Sequence, residues 1–189
     1  MSKVSTIIEH AERDAATGAQ YHWAPFMMAE GISRWIENDI SVDAIGKSAD
    51  AAICCFDYPL MLCIQYGYIN ASGMNKIYGD LIKAKQDKTS GALSYWGYKL
   101  SVWQDWSGLG GGYWRPRKGD IVFFNAPVGG DLNHVVLACG STDALNRAKV
   151  ISFGERLEKA QQTTVNATTV EELKQAGHTT VKFTQPIWA

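Results

Sequence analysis

The chain is predicted to be an α+β protein, helices in its first half and strands in its second, on three observations. Apolar residues recur at helical spacing between residues 3 and 17. They dominate residues 56–69 almost all the way round, the mark of a buried helix. After Arg117 the pattern changes to short β-branched and aromatic runs bounded by turn residues, which predicts an antiparallel meander. A length of 189 residues suits one domain with a substantial core, so residues 1–189 are expected to fold as a single unit.

Val4, Ile7, Ile8, Ala11 and Ala15 lie on one face of the first helix, which Gly18 ends. An aromatic turn, Tyr21-His-Trp-Ala-Pro-Phe26, leads into a second helix starting near Pro25, and residues 38–52 read as loop. The buried helix starts at Cys55 or Phe56, because that places Pro59 in the first turn, where a missing N–H has no intrahelical partner. Another helix spans Ser72–Lys85. Residues 92–115 combine seven Tyr and Trp side chains with the glycine run of residues 108–112, a loop that could wall a groove or pack irregularly. Strands follow at Ile121–Phe124, His134–Cys139 and Lys149–Phe153. Thr168 or Thr169 caps a helix over Val170–Ala176 that Gly177 stops, and Thr179–Thr184 is a last strand.

A net charge of −1 gives no general attraction to nucleic acid or to an anionic membrane. No apolar run is long enough to span a bilayer, and the N-terminus lacks the apolar core of a signal peptide. The expectation is a product made in the cytoplasm without a cleavable signal. Cys54, Cys55, Cys63 and Cys139 lack zinc-site spacing and do not suggest a disulfide framework, so no metal or cofactor is expected.

A cysteine at a helix start is favoured as thiolate, and the same N–H groups can hold an oxyanion. Cys55 occupies that position and is the candidate nucleophile. Its candidate base is His134, which opens an otherwise apolar strand and could pair with the thiol across the helix–sheet interface. Cys54 is the rival nucleophile, whereas Cys63 and Cys139 read as core. Asp57 can cap its own helix or touch substrate, and Asp120 reads as structural. His10, His22 and His178 read as bystanders, with His22 the one that could line a groove.

Phe56-Asp57 after the cysteine, the helix Leu60–Tyr68, the Arg117-Lys-Gly-Asp-Ile-Val-Phe-Phe-Asn125 turn and strand, and Leu132-Asn-His-Val-Val-Leu-Ala-Cys-Gly140 together resemble the NlpC/P60 group of papain-like cysteine peptidases and amidases. The likeness covers roughly residues 50–155 and looks closest to papain-like domains of bacterial secreted toxins and effectors. It implies a papain-like fold, N-terminal helices with the nucleophile helix packed on a C-terminal antiparallel sheet. It implies Cys55 as nucleophile and His134 as base, and puts the third position on the next strand at Ser152, with Glu155 as rival. The commoner NlpC/P60 pattern carries Asp before the cysteine and Ser-Gly after it. Here Cys54 and Phe56-Asp57 stand there, which weakens any inference to peptidoglycan.

The resemblance thus implies hydrolysis of a peptide or protein amide, in peptidoglycan or a host protein, by an effector exported through a specialised secretion system, with a secretion component or immunity protein as possible partner. Deamidation or transglutamination of a protein glutamine would use the same thioester. A non-catalytic module binding a partner through residues 92–115, Trp103 and Trp106 among them, is the alternative outside enzymology.

Overall fold

Ser2 opens the first element of the computed structural model, which describes residues 2–76, 104–105, 115–125, 132–154, 162–178 and 181–184. Its hydroxyl accepts from the Ser5 N–H and caps α1 (Lys3–Thr17), and Gly18 closes the helix in the left-handed conformation. Ile7, Ile8 and Ala11 are buried, as their spacing predicts. Asp14 is buried beside them, accepting hydrogen bonds from the hydroxyls of Tyr21 and Tyr58 at 2.9 Å each and so tying α1 to the helix that carries Tyr58.

The expected second helix is broken in two. Behind Pro25 comes a 3-10 turn, Phe26–Met28, and α geometry is confined to α2 (Gly31–Ile36). Gly31 backs directly onto the Ala51 carbonyl and donates its N–H to Ala52 at 3.0 Å, a backbone approach that a Cβ would block. Residues 38–52 are loop with two further 3-10 turns, Val42–Ala44 and Ala49–Ala51.

The central helix α3 (Asp57–Gln65) is buried from Asp57 through Ile64, which accounts for its apolarity on all sides. It starts later than expected, with Phe56 as its N-cap and Cys55 in the turn ahead of it. That turn closes when the Asp57 N–H donates to the Cys54 carbonyl at 3.1 Å. Pro59 falls at the third helical position, still within the first turn. The helix also ends earlier than Tyr68: Gly67 takes φ 66° and the Tyr68 N–H returns to the Cys63 carbonyl at 2.9 Å. Residues 71–76 are helical, with the Asn70 side chain accepting from the Gly73 N–H at 2.8 Å; the rest of the helix expected to Lys85 lies outside the described residues. So does the aromatic segment 92–115, apart from β1 (Gln104–Asp105) and Arg115.

The remaining strands are β2 (Ile121–Asn125), β3 (Leu132–Thr142), β4 (Ala148–Ser152), β5 (Asn166–Thr169) and β6 (Val181–Thr184). They form an antiparallel sheet in the order β1-β6-β2-β3-β4-β5. The meander β2–β3–β4 is the one expected, β5 extends it, and β6 returns to the free side of β2. Asp120 is structural, its carboxylate accepting from the Arg117 N–H at 2.7 Å at the entry to β2.

Alternation along the strands divides the side chains between two cores. Ile121, Phe123, Val135, Leu137 and Ile151 join the helical core of α1 and α3. Val122, Phe124, Val136 and Val150 pack with Val170 and Leu173 of α4 (Val170–Gln175). Thr169 and Glu172 form a reciprocal capping box at the start of α4, as expected from the sequence. The architecture is α+β. Among the described residues no helix is long and apolar enough to cross a membrane.

Candidate active site

Ile53 anchors the segment leading to Cys55. Its N–H donates to the His22 carbonyl at 2.9 Å and its carbonyl accepts from Ala24 at 3.1 Å, forming a parallel bridge with Trp23. The buried Asp57 carboxylate then reaches back to accept from the Cys54 N–H at 3.0 Å. Together with the Asp57-to-Cys54 backbone bond, this fixes both ends of the turn holding Cys55. Asp57 is therefore a brace for the turn ahead of its helix, a variant of the capping role expected for it.

Three groups converge on the Cys55 sulfur and hold its pKa well below the ordinary thiol range: the Cys54 thiol first, then the His134 imidazole through a hydrogen bond and its charge, then the Val135 N–H. Burial opposes them and is outweighed. The other thiols move the opposite way. Burial pushes Cys54 up, and donation to Cys55 and the nearby Asp57 charge push it further. Burial also raises Cys63, and raises Cys139 to about 12. All four cysteines are reduced, and Cys55 is the activated one.

The main influences on the sulfur differ from those expected. Cys55 lies ahead of the N-cap, so its leading partners are two side chains and a strand N–H rather than the end of α3. The Val135 donor follows from the sheet register. Pairing between β3 and β4 begins at Val136↔Ser152, which leaves Val135 beyond the last rung, where the cysteine turn meets the sheet. Gly154, just past β4, is packed against the same turn: a Cβ there would stand 3.3 Å from the Cys55 nitrogen.

His134 is buried opposite Phe124 in the β2–β3 register, and its Nε2 lies 2.9 Å from Ser152 Oγ. Ser152 pairs with Val136, two residues along from His134, and so shares its face. With Nε2 engaged by Ser152, Nδ1 is the ring nitrogen left for the hydrogen bond with Cys55. A hydroxyl can donate to a bare ring nitrogen or accept from a protonated one, so Ser152 serves both charge states of the imidazole. The structure thus brings together Cys55, His134 and Ser152. His134 and Ser152 share the sheet face of Phe124 and Val136 by register, and they meet Cys55 at the end of β4.

His178 is not the distant bystander the sequence suggests. The turn after α4 brings its ring against His134, with centroids 5.4 Å apart and planes inclined by 26°. His10 is structural, bonded to the Tyr66 hydroxyl at 2.8 Å and lying 3.4 Å from Asp14. His22 borders a shallow pocket with Tyr21, Gly46, Lys47 and Thr163, none of them a site residue. Glu155, Trp103 and Trp106 lie outside the described residues. Two contributors to the site carried no signal of their own, the Val135 N–H and the His178 ring. The third, the Gly154 contact, has one in a glycine directly following a strand.

A thiolate beside an imidazole whose far nitrogen is hydrogen-bonded can attack a carbonyl carbon and pass a proton to a departing group. No family model, no curated protein and no solved structure matches the chain.

Proposed function

We propose that this chain is a papain-like cysteine hydrolase that cleaves an amide through a thioester. The observation that carries the reading is the convergence of His134 and two further donors on Cys55, the one cysteine whose thiol is driven toward the ionised form. Support also comes from the arrangement of a cysteine turn ahead of a buried helix, a histidine on β3 and a hydrogen-bonding partner on β4 of an antiparallel sheet.

In this mechanism the Cys55 thiolate attacks the carbonyl carbon and the carbonyl oxygen takes the negative charge. The Cys55 N–H, in the turn ahead of α3, is the oxyanion donor in this reading. As the tetrahedral intermediate collapses, the C–N bond breaks and the His134 imidazolium gives its proton to the leaving amine. Water then attacks the thioester while His134 takes up its proton, and the acid leaves with Cys55 restored. The substrate class follows the resemblance to secreted effectors: an amide of a peptidoglycan stem peptide or of a host protein, reached by export through a specialised secretion system.

The test compares wild type with Cys55→Ala and His134→Ala on peptidoglycan and on candidate proteins, with intact-mass readout. Loss of all cleavage in Cys55→Ala, and a loss of about 10²-fold or more in His134→Ala, is expected. A one-mass-unit gain on an uncut protein would reassign the chemistry to glutamine deamidation. Full activity in Cys55→Ala would remove the mechanism, and a biological effect that survives it would favour the binding-module reading.

A further inference from the structure

The edges of the His134 ring are committed to Cys55 and Ser152, but edges alone do not fix a ring whose χ2 torsion is intrinsically broad. Its face is covered by His178, at 5.4 Å and 26°. Phe124 touches both rings, lying 6.3 Å from His134 and 5.3 Å from His178, so each of the three contacts the other two.

His178 is itself held firmly. Its side chain is buried, and its N–H donates to the Leu173 carbonyl at 3.1 Å across the end of α4. That helix is fixed to β4 and its turn from two directions: Glu171 accepts from the Ala148 N–H at 3.0 Å, and Glu172 pairs with Arg147 at 2.9 Å. His178 is thus placed by the end of α4, which lies outside the cysteine turn.

We propose that His178 is a positioning residue, whose ring holds His134 in the rotation that presents Nδ1 to Cys55 and Nε2 to Ser152. The α4 turn then belongs to the catalytic apparatus. This rests on the reading of Cys55 and His134 as the reacting pair.

The probe is iodoacetamide, which reports the Cys55 thiolate without requiring a known substrate. Alkylation of Cys55 is followed by peptide mass against pH in wild type, His178→Ala, His178→Gln and His178→Phe, in variants that keep the wild-type far-ultraviolet spectrum. Gln fills volume without a ring face and stands in where Ala does not fold; Phe restores the face. Wild type is expected to alkylate at mildly acidic pH. Ala or Gln should lose roughly tenfold or more of that acid-limb rate, in line with the sensitivity of paired groups to small misplacement, and Phe should stay within about threefold of wild type. An acid limb unchanged in Ala or Gln, or lost equally in Phe, overturns the positioning role alone. A wild-type Cys55 that alkylates only as an ordinary thiol overturns the reading of the site and this inference with it.

Discussion

Gly154→Ala tests how tightly the end of β4 constrains the cysteine turn. Gly154 has φ 75°, and a Cβ there would lie 2.6 Å from Trp23 Nε1, 2.8 Å from Trp23 Cδ1 and 3.3 Å from the Cys55 nitrogen. Two costs follow. Left-handed backbone in a residue with a Cβ costs about 1–2 kcal/mol, and forcing a methyl into filled space adds about 1–3 kcal/mol, so the total is about 2–5 kcal/mol. Gly67 supplies the control, with φ 66° and nothing within 4 Å of the added carbon. Gly67→Ala should therefore lose only the backbone component. Any entropic gain from stiffening the unfolded chain is common to both and cancels. Equilibrium urea unfolding, read as a midpoint change at constant slope, should place Gly154→Ala roughly 1–3 kcal/mol below Gly67→Ala. Cys55 alkylation should also slow in Gly154→Ala and not in Gly67→Ala. Equal destabilisation by the two substitutions would mean that the Trp23 indole and the turn yield to the methyl, and unchanged alkylation that Gly154 does not constrain Cys55.

Cys54→Ala removes the leading donor to the Cys55 sulfur, so the Cys55 pKa should rise and its alkylation profile move to higher pH, while Cys63→Ala leaves the profile in place; thiolate absorbance checks both. Ser152→Ala removes a hydrogen bond to the charged imidazolium worth about 1.5–3 kcal/mol, so kcat/KM on a cleaved amide should fall roughly ten- to 150-fold. A thousandfold fall would assign Ser152 a different role. At Asp14, burial raises the pKa, but hydrogen bonds from His10, Tyr58 and Tyr21 together outweigh it and hold the carboxyl below its ordinary value. A depressed folded-state pKa contributes stability that is present above the unfolded value and lost as pH falls through the folded one. Asp14→Asn should therefore flatten the acid side of the stability–pH curve, and an unchanged slope below pH about 4 would contradict the sign.

What could be read from sequence was what local chemistry dictates. The first helix, with Gly18 as its stop, and the last, with Thr169 and Glu172 as its capping box, are written in neighbouring residues and appear as expected. The strands over Ile121–Phe124 and Lys149–Phe153 announce themselves through β-branched and aromatic runs. What could not be read depends on contacts between distant segments. Asn166–Thr169 has no apolar alternation, and it is a strand because it pairs with β4. The second helix begins only at Gly31, whose N–H goes to the Ala52 carbonyl, a contact that no local pattern encodes. In the site, Cys55 and His134 were legible as residue types in favourable places. Which face His134 takes, and which ring covers it, are set by the β2–β3 register and by where α4 ends.

The same distinction explains why the second of two adjacent cysteines is the activated one. Sequence offered the position of Pro59 as the reason to choose Cys55, but the helix boundary alone does not separate neighbours so close together. Electrostatics does. A thiolate only 8% exposed cannot persist alone, because burying an uncompensated ion costs several kcal/mol. Cys55 has an imidazole and two further donors to offset that cost. Cys54, deeper at 3% exposure, has the Asp57 carboxylate nearby, and that negative charge disfavours ionisation. The proton therefore stays on Cys54, and a protonated Cys54 can donate to Cys55. Burial, helped by the Asp57 charge, thus disfavours ionisation of the first sulfur, while His134 draws the second toward charge.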